Sequence, residues 1–460
     1  MPRRTASYEM DMTEGPLLGK MIRFAVPLML TSMMQLLYNA ADVVVVGRFA
    51  GAHALAAVSS TGSLINLIVN LFMGLSLGAS VLVAQSFGAG KYKDVSEVVH
   101  TSILAAGISG LIVAVVGLLF SRGMLQLMNT PPEVLDLASI YLAIYFSGSI
   151  FNMVYNFGAA ILRAVGDTRR PMYYLIVSGL INVVFNLIFV VGFRMSVAGV
   201  GLATIISQAV SAVLVLNCLR HAPGSIRLDV RKLRIHADKL VRLLKIGLPA
   251  GMQASVFSIA NVVIQSSVNS FGADAMAGSG AASNIEAFVY ASMSALYQAA
   301  LTFTSQNVGA KKHRRIGRIM LVAQGCSLVV GVVLGGLALG FAPFLLGIYS
   351  SEAHVIEMGV RRMAIICPTY FLCGYMDVMV GGLRGMGKSV VPMFVSILGA
   401  CGLRVLWATF VFPHLGTLDA LYWAYPLSWT ITGTAHLVYY LRVKRQTVER
   451  LKAELGENTQ

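Results

Sequence analysis

The stretch "GLRGMGKSVVPM", Gly382 to Met393, admits two incompatible readings. Its first eight residues fit G-x-x-x-x-G-K-[ST], a loop that cradles nucleotide phosphates between a strand and a helix N-terminus. Yet 221 residues earlier the chain reads "ILRAVGDTRRPM", Ile161 to Met172, which keeps Leu-Arg, the Gly and Pro-Met but not Gly-Lys-Ser. What recurs is a turn between two helices. At the same offset "GAHALA" (Gly51–Ala56) meets "GADAMA" (Gly272–Ala277), and "AQSFGAGK" (Ala84–Lys91) meets "SQNVGAKK" (Ser305–Lys312). The chain is two copies of one unit, and a repeat of this kind outranks a single motif in deciding the fold. The phosphate-loop match is read as chance, and no nucleotide partner is expected.

Composition says where the copies live. Of the 460 residues 57% are hydrophobic and only 12% charged, about half the share of a soluble domain, and the mean hydropathy is +0.74. Only Asp274 is charged between Ile246 and Asn284, and only Arg404 and Asp419 between Val390 and Leu441. Apolar windows long enough to cross a bilayer fall at 22–46, 57–83, 98–120, 138–162, 171–193, 197–219, 244–270, 277–305, 317–341, 362–383, 392–413 and 418–441. The fold class is thus an all-α membrane protein of twelve transmembrane helices. Six spans per copy is an even number, so the copies enter the membrane alike and form two parallel lobes with a pseudo-twofold along the membrane normal. The expected division is an N-terminal lobe at 1–219, a cytoplasmic linker at 220–245, a C-terminal lobe at 246–441 and a cytoplasmic tail at 442–460. The linker is expected to include a short amphipathic helix lying on the membrane surface.

The net charge of +15 invites a nucleic-acid reading, but its distribution refuses it. With both termini cytoplasmic, cytoplasmic segments hold 29 of the 35 Lys and Arg. The outer loops hold five (Arg48, Arg122, Arg194, Arg361, Arg362), and Arg404 lies inside a span. This is the positive-inside asymmetry of a multi-pass protein of the cell's inner membrane, and no nucleic-acid partner follows from it. The first 20 residues are polar and lack the apolar run of a signal peptide, so the first span is expected to remain. The five cysteines are odd in number and show neither a disulfide framework nor metal spacing. No structural metal and no cofactor are expected.

A carboxylate at the centre of a membrane helix costs about 2.5–3.5 kcal/mol on insertion scales, so intramembrane acids are functional candidates. Three occur: Asp42 in span 1, Glu286 in span 8 and Asp377 in span 10. Tyr38 and Asn39 share the helical face of Asp42. Amide pairs at four-residue spacing lie in span 4 (Asn152, Asn156) and span 5 (Asn182, Asn186), and Thr204 lies in span 6. A carboxylate among amides and hydroxyls makes a proton site or a small-cation site with oxygen ligands. The plainer reading of the amide pairs is that they fasten helices together. For Asp377 the plainer reading is an ion pair with Arg404, and for Glu286 it is a side chain that reaches to the outer surface.

On these residues the chain resembles the multidrug and toxic compound extrusion (MATE) family over essentially its full length. "FAVPLMLTSMMQLLYNAADVVVVGRFAG", its counterpart "IGLPAGMQASVFSIANVVIQSSVNSFGADAMAG", "LRAVGDTRRPM", "AQSFGAGK" and "YMDVMVGGLRGMGKSVVPM" carry the resemblance. It implies a V-shaped transporter, not an enzyme, that exports organic, often cationic, compounds in exchange for H+ or Na+. By position Asp42 matches the family's first-helix acid, with Tyr38, Asn156, Asn182, Asn186 and Thr204 beside it as the ion-coupling set. In the sodium reading Asp42, Asn182 and Thr204 hold the cation. Asp377 matches an acid of the tenth helix and, with Glu286, Gln253 and Arg404, forms the expected substrate set. Two departures stand out. Asn186 sits where some members carry a second fifth-helix acid, and "MQASVFSIAN" lacks a seventh-helix acid, for which Glu286 is the expected substitute. The implied partners are small organic molecules and the lipid bilayer, with the chain a monomer. A flippase for lipid-linked saccharides, of the same superfamily, is the alternative.

Overall fold

The computed structural model describes residues 8–128 and 130–456, and every regular element among them is a helix. In hydrocarbon no water satisfies backbone N–H and C=O groups, so each apolar segment must close its hydrogen bonds within itself. The first copy comprises α1 (Leu17–Phe49), α2 (Ala52–Gly88), α3 (Tyr92–Leu127), α4, α5 (Arg169–Gly192) and α6 (Ser196–His221). Helix α4 bends by 46° between Pro132–Ser147 and Ser149–Ala164. The second copy comprises α7 (Ala237–Asn269), α8 (Ala273–Gly309), α9 (His313–Gly340), α10 (Ala353–Gly385), α11 (Val390–Leu415) and α12 (Ala424–Leu455). Ten of the twelve pass as membrane spans on length and apolarity among the described residues, counting the bent α4 as one. The other two, α8 and α12, have 37 and 32 residues. They are less apolar because α8 is rich in Ser, Thr, Asn and Gln and α12 runs on into a charged tail.

The repeat persists at the level of single hydrogen bonds. Gly166 N donates to Arg163 O at 2.9 Å and Asp167 N to Leu162 O at 3.0 Å; Gly387 N donates to Arg384 O at 2.8 Å and Lys388 N to Leu383 O at 3.0 Å. Both turn glycines are left-handed, with φ of +95° and +82°, which is why Gly persists while its neighbours drift. The stretch that fits a phosphate loop therefore joins helix α10 to helix α11, and the element before it is not a strand.

The chain divides into two compact units. One holds residues 8–11 and Leu30–Gly251, the other Met12–Met29 and Met252–456. The chain passes between units first between Asp11 and Met12, ahead of α1, and then inside α1 and inside α7, a few residues beyond the helix-interior Pro27 and Pro249. Within the first unit α7 is pressed onto α2 through two small-residue pairs, Gly74 and Gly78 against Gly247 and Gly251. A Cβ on Gly74 would stand 2.2 Å from the Gly251 nitrogen. Between membrane helices such close backbone approach replaces the hydrophobic drive that lipid removes.

The linker is helical at its end, where residues 237–245 form the first turns of α7, while its middle makes two short 3-10 turns, Gly224–Ile226 and Val230–Lys232, and lies along α3. His100 Nε2 meets the Asp229 backbone at 3.1 Å, Thr101 Oγ1 accepts from the His236 N–H at 3.1 Å, and Lys239 Nζ reaches Asp94 at 2.9 Å. The bonds from His100 and Thr101 take backbone groups of Asp229 and His236 that a helix would have used.

Candidate functional site

In the first unit Asp42 stands on α1, part-buried. Asn186 on α5 is fully buried, and its amide donates to the Asp42 carboxylate and, at 3.2 Å, to Asn182 Oδ1. Three residues named from sequence are thereby joined into one chain. The remaining oxygen of Asn186 is buried without a protein partner among the described residues. Asn186 ends the α-helical part of α5, and the next turns, Leu187–Gly192, widen into a π-helix. Such widening is frequent at functional sites. Tyr38 closes the same face: its hydroxyl donates to the Ile176 carbonyl at 3.3 Å, and its ring fills the space of the missing Gly179 side chain.

The other two expected members are held differently. Thr204 donates to its own helix at Val200 O, 2.9 Å, and Asn156 donates to the carbonyl and side chain of Asn152, 2.8 Å each. Neither bonds to Asp42. Two residues that sequence reasoning missed, Tyr141 and Tyr145, lie within electrostatic range of Asp42. Their four-residue spacing on α4 was the available signal, but aromatic pairs are common in any apolar helix.

In the second unit Asp377 on α10 is the repeat counterpart of Asn156, and Arg384 that of Arg163. The Asp377–Arg404 ion pair allowed by the sequence does not form: among the described residues Asp377 has no cation within 4.0 Å. Arg404 donates instead to Ser428 Oγ at 3.0 Å and lies over the Tyr425 ring at 4.4 Å. The Tyr290 hydroxyl faces Asp377, and Arg384 and Arg404 are the cations whose fields reach it. Gln253 joins this interior by accepting from Arg384 at 2.9 Å, while Arg384 also donates to Tyr297 at 2.7 Å.

Glu286 requires a correction. It does not reach the outer surface; it is 4% exposed, and both its oxygens accept from Arg362, at 2.9 and 2.8 Å. Arg362 had been assigned to an outer loop, yet it points inward from α10, donates to Ser279 at 2.9 Å and stacks over Tyr422 and Tyr425. Sequence could not show that the helices of these two charges face each other. With its partner fixed, Glu286 is an internal ion pair rather than an open carboxylate.

Carboxylates set among amides, tyrosines and stacked guanidinium groups, inside twelve helices of duplicated and mostly apolar design, define a multi-pass membrane transporter. The chain belongs to the MatE family, whose model matches residues 27–188 and again 249–410. It is 29% identical to the "Probable multidrug resistance protein YoeA" of Bacillus subtilis, over 93% of this chain and 94% of that one. It is 23% identical to the "Multidrug export protein MepA" of Staphylococcus saprophyticus, over 95% and 96%. Among solved structures, an outward-facing multidrug resistance MATE family transporter of the MOP superfamily superposes with a TM-score of 0.88 at 21% identity, covering 98% of this chain and all of that one. Family and function class agree: this is a transporter, not an enzyme.

Proposed function

We propose that this protein is a multidrug efflux transporter of the cell's inner membrane, exporting organic compounds in exchange for an inward-moving cation. Asp42 is the coupling group. Coupling requires one site whose occupancy differs between two conformations, and Asp42 is the one carboxylate of spans 1 to 6 set well inside the membrane. The observation that carries this reading is the contact from Asn186 to the Asp42 carboxylate, backed by Asn182. With Asn186 standing where a second acid would be, Asp42 is a lone carboxylate, and one carboxylate suffices for a proton, which favours H+ over Na+ as the coupling ion.

Cargo is assigned to the second unit, at Asp377 with Gln253, Arg384 and Arg404: both arginines are held by other partners, which leaves the part-buried Asp377 carboxylate as the counter-charge for an organic cation. The names of the two relatives point to drug export rather than to lipid-linked saccharides. The functional form is a monomer with both termini cytoplasmic, the first seven and last four residues lying outside those described.

The test is export from inverted vesicles under a proton gradient alone and then a sodium gradient alone. Asp42→Asn keeps size and hydrogen bonding but cannot carry a proton, so export should vanish while the protein inserts normally. An Asp42→Asn protein exporting as well as wild type under both gradients sinks the coupling role.

A further inference from the structure

The middle of the linker has two faces. Ala222, Ile226 and Leu228 are packed inward, at 3%, 1% and 5% exposure. Leu228 N donates to the Leu219 carbonyl at 2.9 Å, and His100 and Thr101 of α3 hold the backbone of Asp229 and His236. Arg227, Val230, Arg231, Lys232, Arg234 and Ile235 are all exposed. The backbone is thus fixed on one side, and on the other it presents cations mixed with apolar side chains.

These cations are not balanced locally. Residues 227–245 hold seven Lys and Arg against two Asp. Both acids are occupied: Asp229 accepts from the Arg231 N–H at 3.1 Å and lies 3.8 Å from Lys232 Nζ, and Asp238 lies 3.3 Å from Lys239 Nζ. Lys239, 8% exposed, turns back to Asp94 and Glu97 of α3. Among the described residues Arg227, Arg231, Arg234, Arg242 and Lys245 have no carboxylate within 4.0 Å. Orientation in the membrane asks only for positive charge on the segment. It does not ask for a fixed backbone, or for Val230 at 59% and Ile235 at 38% exposure among the charges.

Helix α7 sets the depth of this surface. It has 33 residues, about 50 Å at 1.5 Å per residue, which exceeds the roughly 40–45 Å of a bilayer with its headgroups. Its exposed apolar residues Val241, Leu244 and Leu248 share one helical face, with Lys245 at the edge of that face. The lipid-facing stripe therefore begins at Val241, and the residues just before it lie at headgroup level.

Basic and apolar side chains mixed on one surface at that depth are the signature of an interface with anionic lipid. Nucleic acid or an acidic protein would meet the cations but leave Val230 and Ile235 in water. We propose that residues 227–245 form a binding surface for the headgroups of anionic phospholipids, with Arg231, Lys232 and Arg234 at the phosphates and Val230 and Ile235 at the acyl boundary. Each Lys or Arg at such a surface contributes about fivefold in affinity. The surface is independent of the coupling and cargo roles assigned above.

The experiment uses the full-length protein in lipid nanodiscs, with a bimane fluorophore on Val230→Cys in a cysteine-free background. Phosphatidylglycerol or phosphatidylcholine, each with the same spin label high on the acyl chain, serves as quencher. Half-quenching should need about tenfold less phosphatidylglycerol than phosphatidylcholine. That preference should shrink with added salt and disappear when Arg231→Gln, Lys232→Gln and Arg234→Gln are combined. Equal quenching by the two lipids overturns the proposal without relying on the combined variant, and so does a preference that survives in it. Displacement of the lipid by inorganic phosphate, but not by chloride at the same ionic strength, would make this a site for small anions. Displacement by an oligonucleotide at the same phosphate concentration would make it a nucleic-acid surface. Either displacement also overturns the proposal.

Discussion

Breaking the buried Glu286–Arg362 pair should be among the most damaging single changes in the second unit. The two side chains are only 6% and 5% exposed and are joined by two parallel hydrogen bonds of 2.8–2.9 Å. Removing one partner leaves the other charge buried and uncompensated, at a cost of about 3–5 kcal/mol. Arg362→Met also frees the Ser279 hydroxyl and the faces of Tyr422 and Tyr425, while Glu286→Met strands the guanidinium. Each single variant should therefore lose about a hundredfold or more in folded-to-unfolded ratio. The double variant, with both charges gone and the volume kept, should recover most of that loss. The assay is a double-variant cycle, reading the fraction that stays monodisperse on size exclusion after graded heating. Single variants within about 1 kcal/mol of wild type, and additive in the double, would refute the ion-pair argument. A Glu286→Gln protein that keeps its stability but loses apparent affinity for a cationic dye would return the carboxylate to the cargo site.

Asn186→Leu removes the donor that stabilises the Asp42 carboxylate and should strengthen its apparent proton affinity about tenfold or more, since a hydrogen bond to a charged group contributes about 1.5–3 kcal/mol; gradient-dependent uptake kinetics read this, and an unchanged or weakened proton dependence counts against the Asp42–Asn186 unit. Gly74→Val must push a side chain into the Gly251 backbone and should abolish monodisperse protein, whereas Gly107→Ala, with nothing within 4 Å, should be silent; equal yields would mean that α2 and α7 do not meet there. Lys388→Ala should leave export normal in vesicles free of ATP, and an ATP requirement would revive the phosphate-loop reading. For topology, single cysteines at Ser225 and Thr417 in a cysteine-free background should label from outside only at 417; labelling of 225 alone inverts the orientation.

The sequence by itself determined the membrane class, the duplicated six-helix unit and the helix–turn–helix identity of Gly382–Ser389. Bilayer length, backbone satisfaction and a left-handed glycine are local demands, met residue by residue, so they are legible in one dimension. The same holds for the candidates Asp42 and Asp377, whose cost inside hydrocarbon marks them wherever they point. What only the tertiary structure decided is who meets whom. Asn186 turned out to be the direct partner of Asp42, while Asn156, four residues from Asn152 on its own helix, spends its amide there. Arg362 turned from an outer-loop charge into the buried partner of Glu286, and Arg404 chose an aromatic face over Asp377. The middle of the linker is held by side chains of α3. Each of these depends on the rotation of one helix about its axis relative to another. A rotation of 100° per residue moves a side chain from partner to lipid, and an apolar membrane sequence, hydrophobic on nearly every face, leaves that angle for packing to fix.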